Sequence, residues 1–198
     1  LKDKEGKFVH PVDDWTDVID LDYNNPMMCA AMQGSMIMWV KRAGIDGFRC
    51  DVAEMVPLEF WLNTREILNN ARPDIFMLAE GDKPALHQAF DMTYDWKTYH
   101  AFKAVCKNEP GKDMAHVAEV LDALRYDIPQ DGLRMQFTSN HDENSWNATE
   151  YEAFGSNAKT MAALMFTLPG MPMIYNGQEA AYNHRLKFFD KDPIQWGN

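Results

Sequence analysis

The chain has 198 residues, of which 46% are hydrophobic and 25% charged. That is the length and composition of one globular domain able to bury a core. With 30 acidic against 19 basic residues the net charge is −11, which excludes a nucleic-acid partner, because phosphates demand a basic face.

Residues 1–23 are polar and read as loop. Asn25-Pro26 opens the first helix, with Asn25 as N-cap and Pro26 at the first helical position. Met28, Met32, Met36 and Val40 then recur at i, i+4, a stripe expected to pack in the core. Gly44 closes this helix, Asp46 sits on a solvated turn, and Ile45 to Asp51 is the first strand. A helix over about 57–70 is broken by Pro73-Asp74, and a buried strand follows at 75–79. A short strand is predicted near 91–94, then helices near 96–107 and 113–125. The final elements are a strand at 135–139, a helix over 157–168 and a strand at 171–175. No apolar stretch reaches the ~20 residues of a membrane span, so no membrane span is expected in this segment.

Strands alternating with helices imply a parallel sheet covered by helices. The strands are apolar runs, as expected where both faces are buried. A doubly wound sheet and a (β/α)8 barrel both fit that pattern. No Gly-rich phosphate or dinucleotide loop follows any strand, and Gly44-Ile45-Asp46-Gly47 precedes its strand. In barrels, function gathers at the C-terminal ends of strands. Here those ends carry Asp51, Glu80 and the Asn140-His141-Asp142 run, which favours the barrel.

Asp51 and Glu80 are about one strand–helix unit apart, and Glu80 and Asp142 about two, so all three acids can face one mouth. Paired carboxylates suit glycoside hydrolysis: one gives a proton to the leaving oxygen while the other handles the anomeric carbon. A third acid nearby would help raise the donor's pKa by like-charge repulsion. Acids at strand ends also serve metals or phosphate-bound Mg²⁺, and spacing alone leaves that choice open. Cys29, Cys50 and Cys106, and likewise His87, His100 and His116, show no metal-ligand grouping; the cysteines read as free thiols.

The residues around the acids resemble a known family. Gly47-Phe48-Arg49-Cys50-Asp51 is similar to the strand 4 signature of the α-amylase family (glycoside hydrolase family 13). Met77-Leu78-Ala79-Glu80 resembles its strand 5 motif, and Phe137-Thr138-Ser139-Asn140-His141-Asp142 its strand 7 motif. Asp20-Leu21-Asp22-Tyr23-Asn24-Asn25-Pro26 looks like the family's lead into helix 3. Leu168-Pro169-Gly170-Met171-Pro172-Met173-Ile174-Tyr175-Asn176-Gly177-Gln178-Glu179 looks like its strand 8 segment. The five blocks stand in the family's order and cover nearly the whole chain.

The resemblance implies an α/β fold, a partial (β/α)8 barrel comprising about strands 4 to 8, with residues 1–198 forming the C-terminal half of the catalytic domain. It implies an enzyme cleaving α-1,4-glucosidic bonds of starch or maltodextrins with retention. Asp51 would be the nucleophile, Glu80 the acid/base and Asp142 the transition-state stabiliser, with Arg49, His141 and Asn140 as substrate-binding residues. The partner is then an α-glucan oligo- or polysaccharide. A catalytically silent glycan-binding relative is the alternative, and such a protein would be expected to lose one of the three acids. Trp146, Trp96 and Tyr175 are candidates for stacking on sugar rings, beside the plainer reading of core aromatics.

Two departures follow. Many starch amylases place Lys-His three and four residues after the nucleophile, whereas this chain has Glu54 and Met55. Val52-Ala53-Glu54 is closer to the neopullulanase-like branch, and no cofactor is expected; calcium is not supported by this segment. The chain opens on Leu1 in a loop-like stretch and ends on Gln195-Trp196-Gly197-Asn198, so both ends read as cut and no compartment is assigned. Half a barrel would leave open sheet edges, through which the segment is expected to self-associate, and alone it is expected to be nearly inactive.

Overall fold

The computed structural model describes residues 2–12 and 14–197. Leu1 and Asp13 of the expected leading loop, and Asn198 of the expected unterminated end, lie outside the described residues. The chain forms two compact units, one of Leu1–Gly47 with Met55–Phe76 and one of Phe48–Glu54 with Met77–Asn198.

The first unit holds two helices, α1 (Pro26–Met38) and α2 (Leu58–Ala71). Asn25 caps α1 through Oδ1, which accepts from the N–H groups of Met27 (3.0 Å) and Met28 (3.3 Å). One π-helical turn, Trp39–Ala43, continues α1. Gly44 then stops it with φ of 67°, a left-handed conformation that glycine adopts without a Cβ penalty. Helix α2 buries Phe60, Trp61, Thr64 and Leu68. Thr64 joins the helices by accepting from Gln33 Nε2 at 3.2 Å, and Phe60 meets Tyr23 edge-on at 5.1 Å. Arg72 ties the end of α2 back to Asp46 (2.6 Å) and to the Ile45 carbonyl (2.9 Å).

The methionine stripe of α1 is not core. No residue of α1 is buried: Met28 and Met36 are half-buried, Met32 is 42% exposed, and of the stripe only Val40, beyond the helix end, is buried. Apolar residues lie around most of the circumference of α1, and packing on α2 covers one strip of it.

Five strands, β1 (Gly47–Cys50), β2 (Phe76–Ala79), β3 (Met92–Tyr94), β4 (Leu133–Gln136) and β5 (Met171–Pro172), pair in chain order. The ladders from β2 to β5 are parallel. β1 and β2 run in the same sense, since Phe76 N donates to Asp46 O and Glu80 N to Cys50 O. Such parallel order requires crossover connections. In the second unit α3 (Trp96–Cys106) and α4 (Met114–Leu124) connect β3 to β4, while α5 (Glu150–Phe154) and α6 (Ala158–Met165) connect β4 to β5. Asp95 and Asp113 cap α3 and α4. The core between these helices and the sheet is aromatic: Phe137 stacks on Tyr99 at 5.3 Å and takes the edge of Trp96 at 4.8 Å. Met77, Met92, Phe102, Val117 and Met165 are buried around it.

Against the expected 135–139 and 171–175, β4 (Leu133–Gln136) is displaced towards the N-terminus and β5 (Met171–Pro172) is cut short. β5 stops at Pro172, although Met173 N still donates to Gln136 O (2.8 Å). The N–H of Tyr175 turns instead to Gln178 Oε1 (3.0 Å). Phe137–Ser139, with a bend at Thr138, lie beyond the ladder. Among the described residues no helix is long and apolar enough to cross a membrane.

Candidate active site

Each of the first four strands delivers a polar group at its C-terminal end. Asp51 follows β1, Glu80 follows β2, Tyr94 ends β3, and the Asn140-His141-Asp142 run lies beyond β4. All belong to the second unit.

Arg49, two residues before Asp51, shares its side of the strand. Its Nη1 donates to Asp51 Oδ1 at 2.5 Å, its Nη2 to Glu80 Oε1 at 2.8 Å, and its Nε to Tyr94 Oη at 3.2 Å. One planar, permanently charged fork thus binds two carboxylates and a phenol. The Asp51 side chain is 76% exposed and that of Glu80 only 14%. Asp51 is therefore open to an incoming group, and Glu80 is largely withdrawn from water.

The turn after Asp51 is strained. Val52 has φ of 43°, a genuine outlier for a β-branched residue, and such strain gathers at functional sites. It is held because Val52 N donates to Glu80 Oε2 (2.7 Å) and Ala53 N to Glu80 O (2.9 Å). Both faces of Glu80 are thereby fixed, one by Arg49 and one by this turn.

Burial pushes the Glu80 carboxyl above the ordinary glutamate range, and the charges of Asp51 and Asp142 push it the same way. The Val52 N–H and Arg49 oppose this. Burial likewise raises Tyr94, so its hydroxyl stays neutral beside the acids. Asp142 acts on Glu80, Tyr94 and Tyr175 alike, so its charge is felt across the whole site.

The Asp142 side is built from below. Asn140, 1% exposed, accepts at Oδ1 from the N–H groups of Asp142 (3.0 Å) and Glu143 (2.8 Å). Its carbonyl oxygen shapes the turn rather than facing solvent. His141 Nε2 lies 3.4 Å from Asp142 Oδ2, and both side chains are partly exposed. A π-helical turn, Glu143–Asn147, follows, a feature frequent at functional sites. Glu143 is a buried carboxylate, accepting from Tyr99 Oη (2.6 Å) and Asn147 Nδ2 (2.9 Å) with Lys103 Nζ at 3.6 Å. It fastens the residue next to Asp142 onto α3.

Tyr94 and Glu143 were not singled out from the sequence, and Val52 was named only within the Val52-Ala53-Glu54 run, without a role in the site. Tyr94 carried a usable signal, since it ends a strand as the acids do. Val52 and Glu143 carried none, because their partners are far away along the chain. Among the described residues no group of three or more His, Cys, Asp or Glu side chains is arranged to hold a metal ion.

A family model for the α-amylase catalytic domain matches residues 8–195. The chain belongs to the α-amylase family. Its sheet is the partial (β/α)8 barrel of that family. The chain superposes on the crystal structure of an α-amylase from Lactobacillus plantarum with a TM-score of 0.86 and 32% identity, covering 97% of this chain and 48% of that one. It is 28% identical to α-amylase MalA of Haloarcula japonica over 92% of this chain and 26% of that protein. It is 29% identical to a 4-α-glucanotransferase of Thermotoga neapolitana over 81% of this chain and 36% of that protein. The chain thus spans less than half the length of each of these relatives, which are α-amylase family enzymes acting as amylases and glucanotransferases.

Proposed function

We propose that the protein cleaves α-1,4-glucosidic bonds of starch or maltodextrins with retention of configuration, through a covalent glycosyl-enzyme. The observation that carries this reading is the single guanidinium of Arg49 gripping Asp51 and Glu80 at once. Two carboxylates sharing one fork favour the ~5–5.5 Å spacing of retaining enzymes over the wider spacing of inverting ones.

The roles divide by environment. Asp51, exposed and paired with a permanent cation, is the nucleophile: its carboxylate attacks the anomeric carbon while the glycosidic C–O bond breaks. Glu80, raised by burial, holds a proton to higher pH and delivers it to the leaving oxygen, then takes one from the incoming water. Where a sugar hydroxyl replaces that water, the same second step transfers the glycosyl unit. Asp142 and His141 face the sugar being distorted and gain in contact as positive charge develops at the anomeric centre. Arg49 keeps the nucleophile anionic and, with the Val52 turn, fixes the distance between the two acids.

Reducing-sugar release from soluble starch by the intact protein tests the reading. Asp51→Asn and Glu80→Gln should each lower the rate by about 10³-fold or more. Proton NMR of the first product should show the α-anomer. Undiminished release by Asp51→Asn, or the β-anomer appearing first, would sink it.

A further inference from the structure

Aromatic surface extends outward from Asp142. Glu143 is buried and anchors the π-helical turn, while Trp146 on the same turn is 57% exposed. Phe188 and Phe189, from the segment after β5, stand against it with ring centroids at 5.0 and 6.0 Å. They are 42% and 73% exposed. Phe188 also lies nearly parallel to the His141 ring, 6.1 Å away at 23°, and His141 touches Asp142. A chain of ring contacts therefore leads from His141, beside Asp142, through Phe188 to Trp146.

Neighbouring large aromatics left open to water mark an interaction site. The segment that carries the phenylalanines is held in place. Asn144 donates to the His184 carbonyl (3.1 Å) and accepts from Leu186 N (2.8 Å). Asp192 accepts from Lys187 N (3.1 Å) and meets His184 Nε2 at 3.0 Å. A surface fixed in this way binds with little ordering cost.

We propose that Trp146 and Phe188 form a stacking subsite for a glucosyl unit of the α-glucan, adjoining the catalytic carboxylates. The proposal rests on the α-glucan reading above and extends it to named contacts. A pyranose ring offers C–H faces that lie flat on an aromatic ring, while its hydroxyls stay hydrated at the rim. Continuity with His141 and Asp142 selects a sugar of the same chain that is being cleaved. Phe189, edge-on to Phe188 at 5.0 Å, props that ring in position.

The test is calorimetric titration of maltoheptaose into the intact protein carrying Asp51→Asn, which leaves the sugar uncleaved. Adding Trp146→Ala weakens binding about tenfold. Adding Phe188→Leu, which keeps bulk but removes the flat face, weakens it several-fold, and Trp146→Phe restores most of the loss. Equal affinity in all variants, or no maltoheptaose binding by the Asp51→Asn protein, overturns the proposal. So does a Trp146→Ala protein that sediments as a smaller species than its parent, since the patch is then a contact between copies. Starch hydrolysis by the unaltered protein tests the catalytic reading separately. Asp51-dependent hydrolysis with unchanged maltoheptaose affinity would remove the subsite and leave the function standing.

Discussion

Replacing Arg49 by leucine removes the one group that binds Asp51 and Glu80 together, and the cost can be apportioned. Asp51 is largely exposed, so water takes over from the guanidinium and the loss there is about 0–1 kcal/mol. The Glu80 side chain is 14% exposed and is left with the Val52 N–H bond (2.7 Å). Losing a charge-assisted bond in that setting costs about 1.5–3 kcal/mol. The sum is about 1.5–4 kcal/mol at neutral pH. Most of it depends on the charge of Glu80. Burial holds that carboxyl above its ordinary 4.5, and Arg49 restrains the rise. A group raised on folding binds more protons in the native state, so its contribution is complete below its unfolded value and is lost as pH climbs through the raised one. Without Arg49 the rise is larger, and the variant loses more stability than its parent between pH 4 and 7. Urea denaturation of the parent, Arg49→Leu, Glu80→Gln and the double variant at both pH values measures this. The Arg49–Glu80 coupling should be about 1 kcal/mol or more at pH 7 and much smaller at pH 4. An equal penalty for Arg49→Leu at both pH values would refute the reasoning.

Two further outcomes follow from the buried groups. Tyr99→Phe removes the 2.6 Å bond to Glu143 and leaves a buried carboxylate short of a donor, so the urea midpoint should fall by the equivalent of about 1–3 kcal/mol; an unchanged midpoint would show that Glu143 has other support. Burial pushes the Cys50 thiol up to about 12, so iodoacetamide at pH 8 should leave it unmodified in the native protein and label it in urea. Equal labelling rates, read by peptide mass spectrometry, would contradict that burial.

Much of the molecule was legible in its residues alone, for reasons that are local. Asn25-Pro26 and Gly44 mark the start and stop of the first helix because capping and left-handed φ are properties of one or two residues. The acids at 51, 80 and 142 could be set at strand ends because short apolar runs followed by carboxylates recur at the spacing of strand–helix units. Even α5 was within reach, since Thr149 and Glu152 form a capping box that is visible as Thr-x-x-Glu. Other features depended on contacts between distant residues. The extents of β4 and β5 depend on where the paired backbones part, which is settled only once the strands meet. The methionines of α1 look like core by their spacing, yet burial is set by how many neighbours a helix has. That Arg49 bridges Asp51, Glu80 and Tyr94, that Val52 is strained against Glu80, and that Glu143 is buried beside Tyr99 are facts of proximity across tens of residues. The family was legible in the motifs around the strand-end acids. Their burial, spacing and shared partner, which make one carboxylate a candidate nucleophile and the other a proton donor, exist only where the folded chain brings them together.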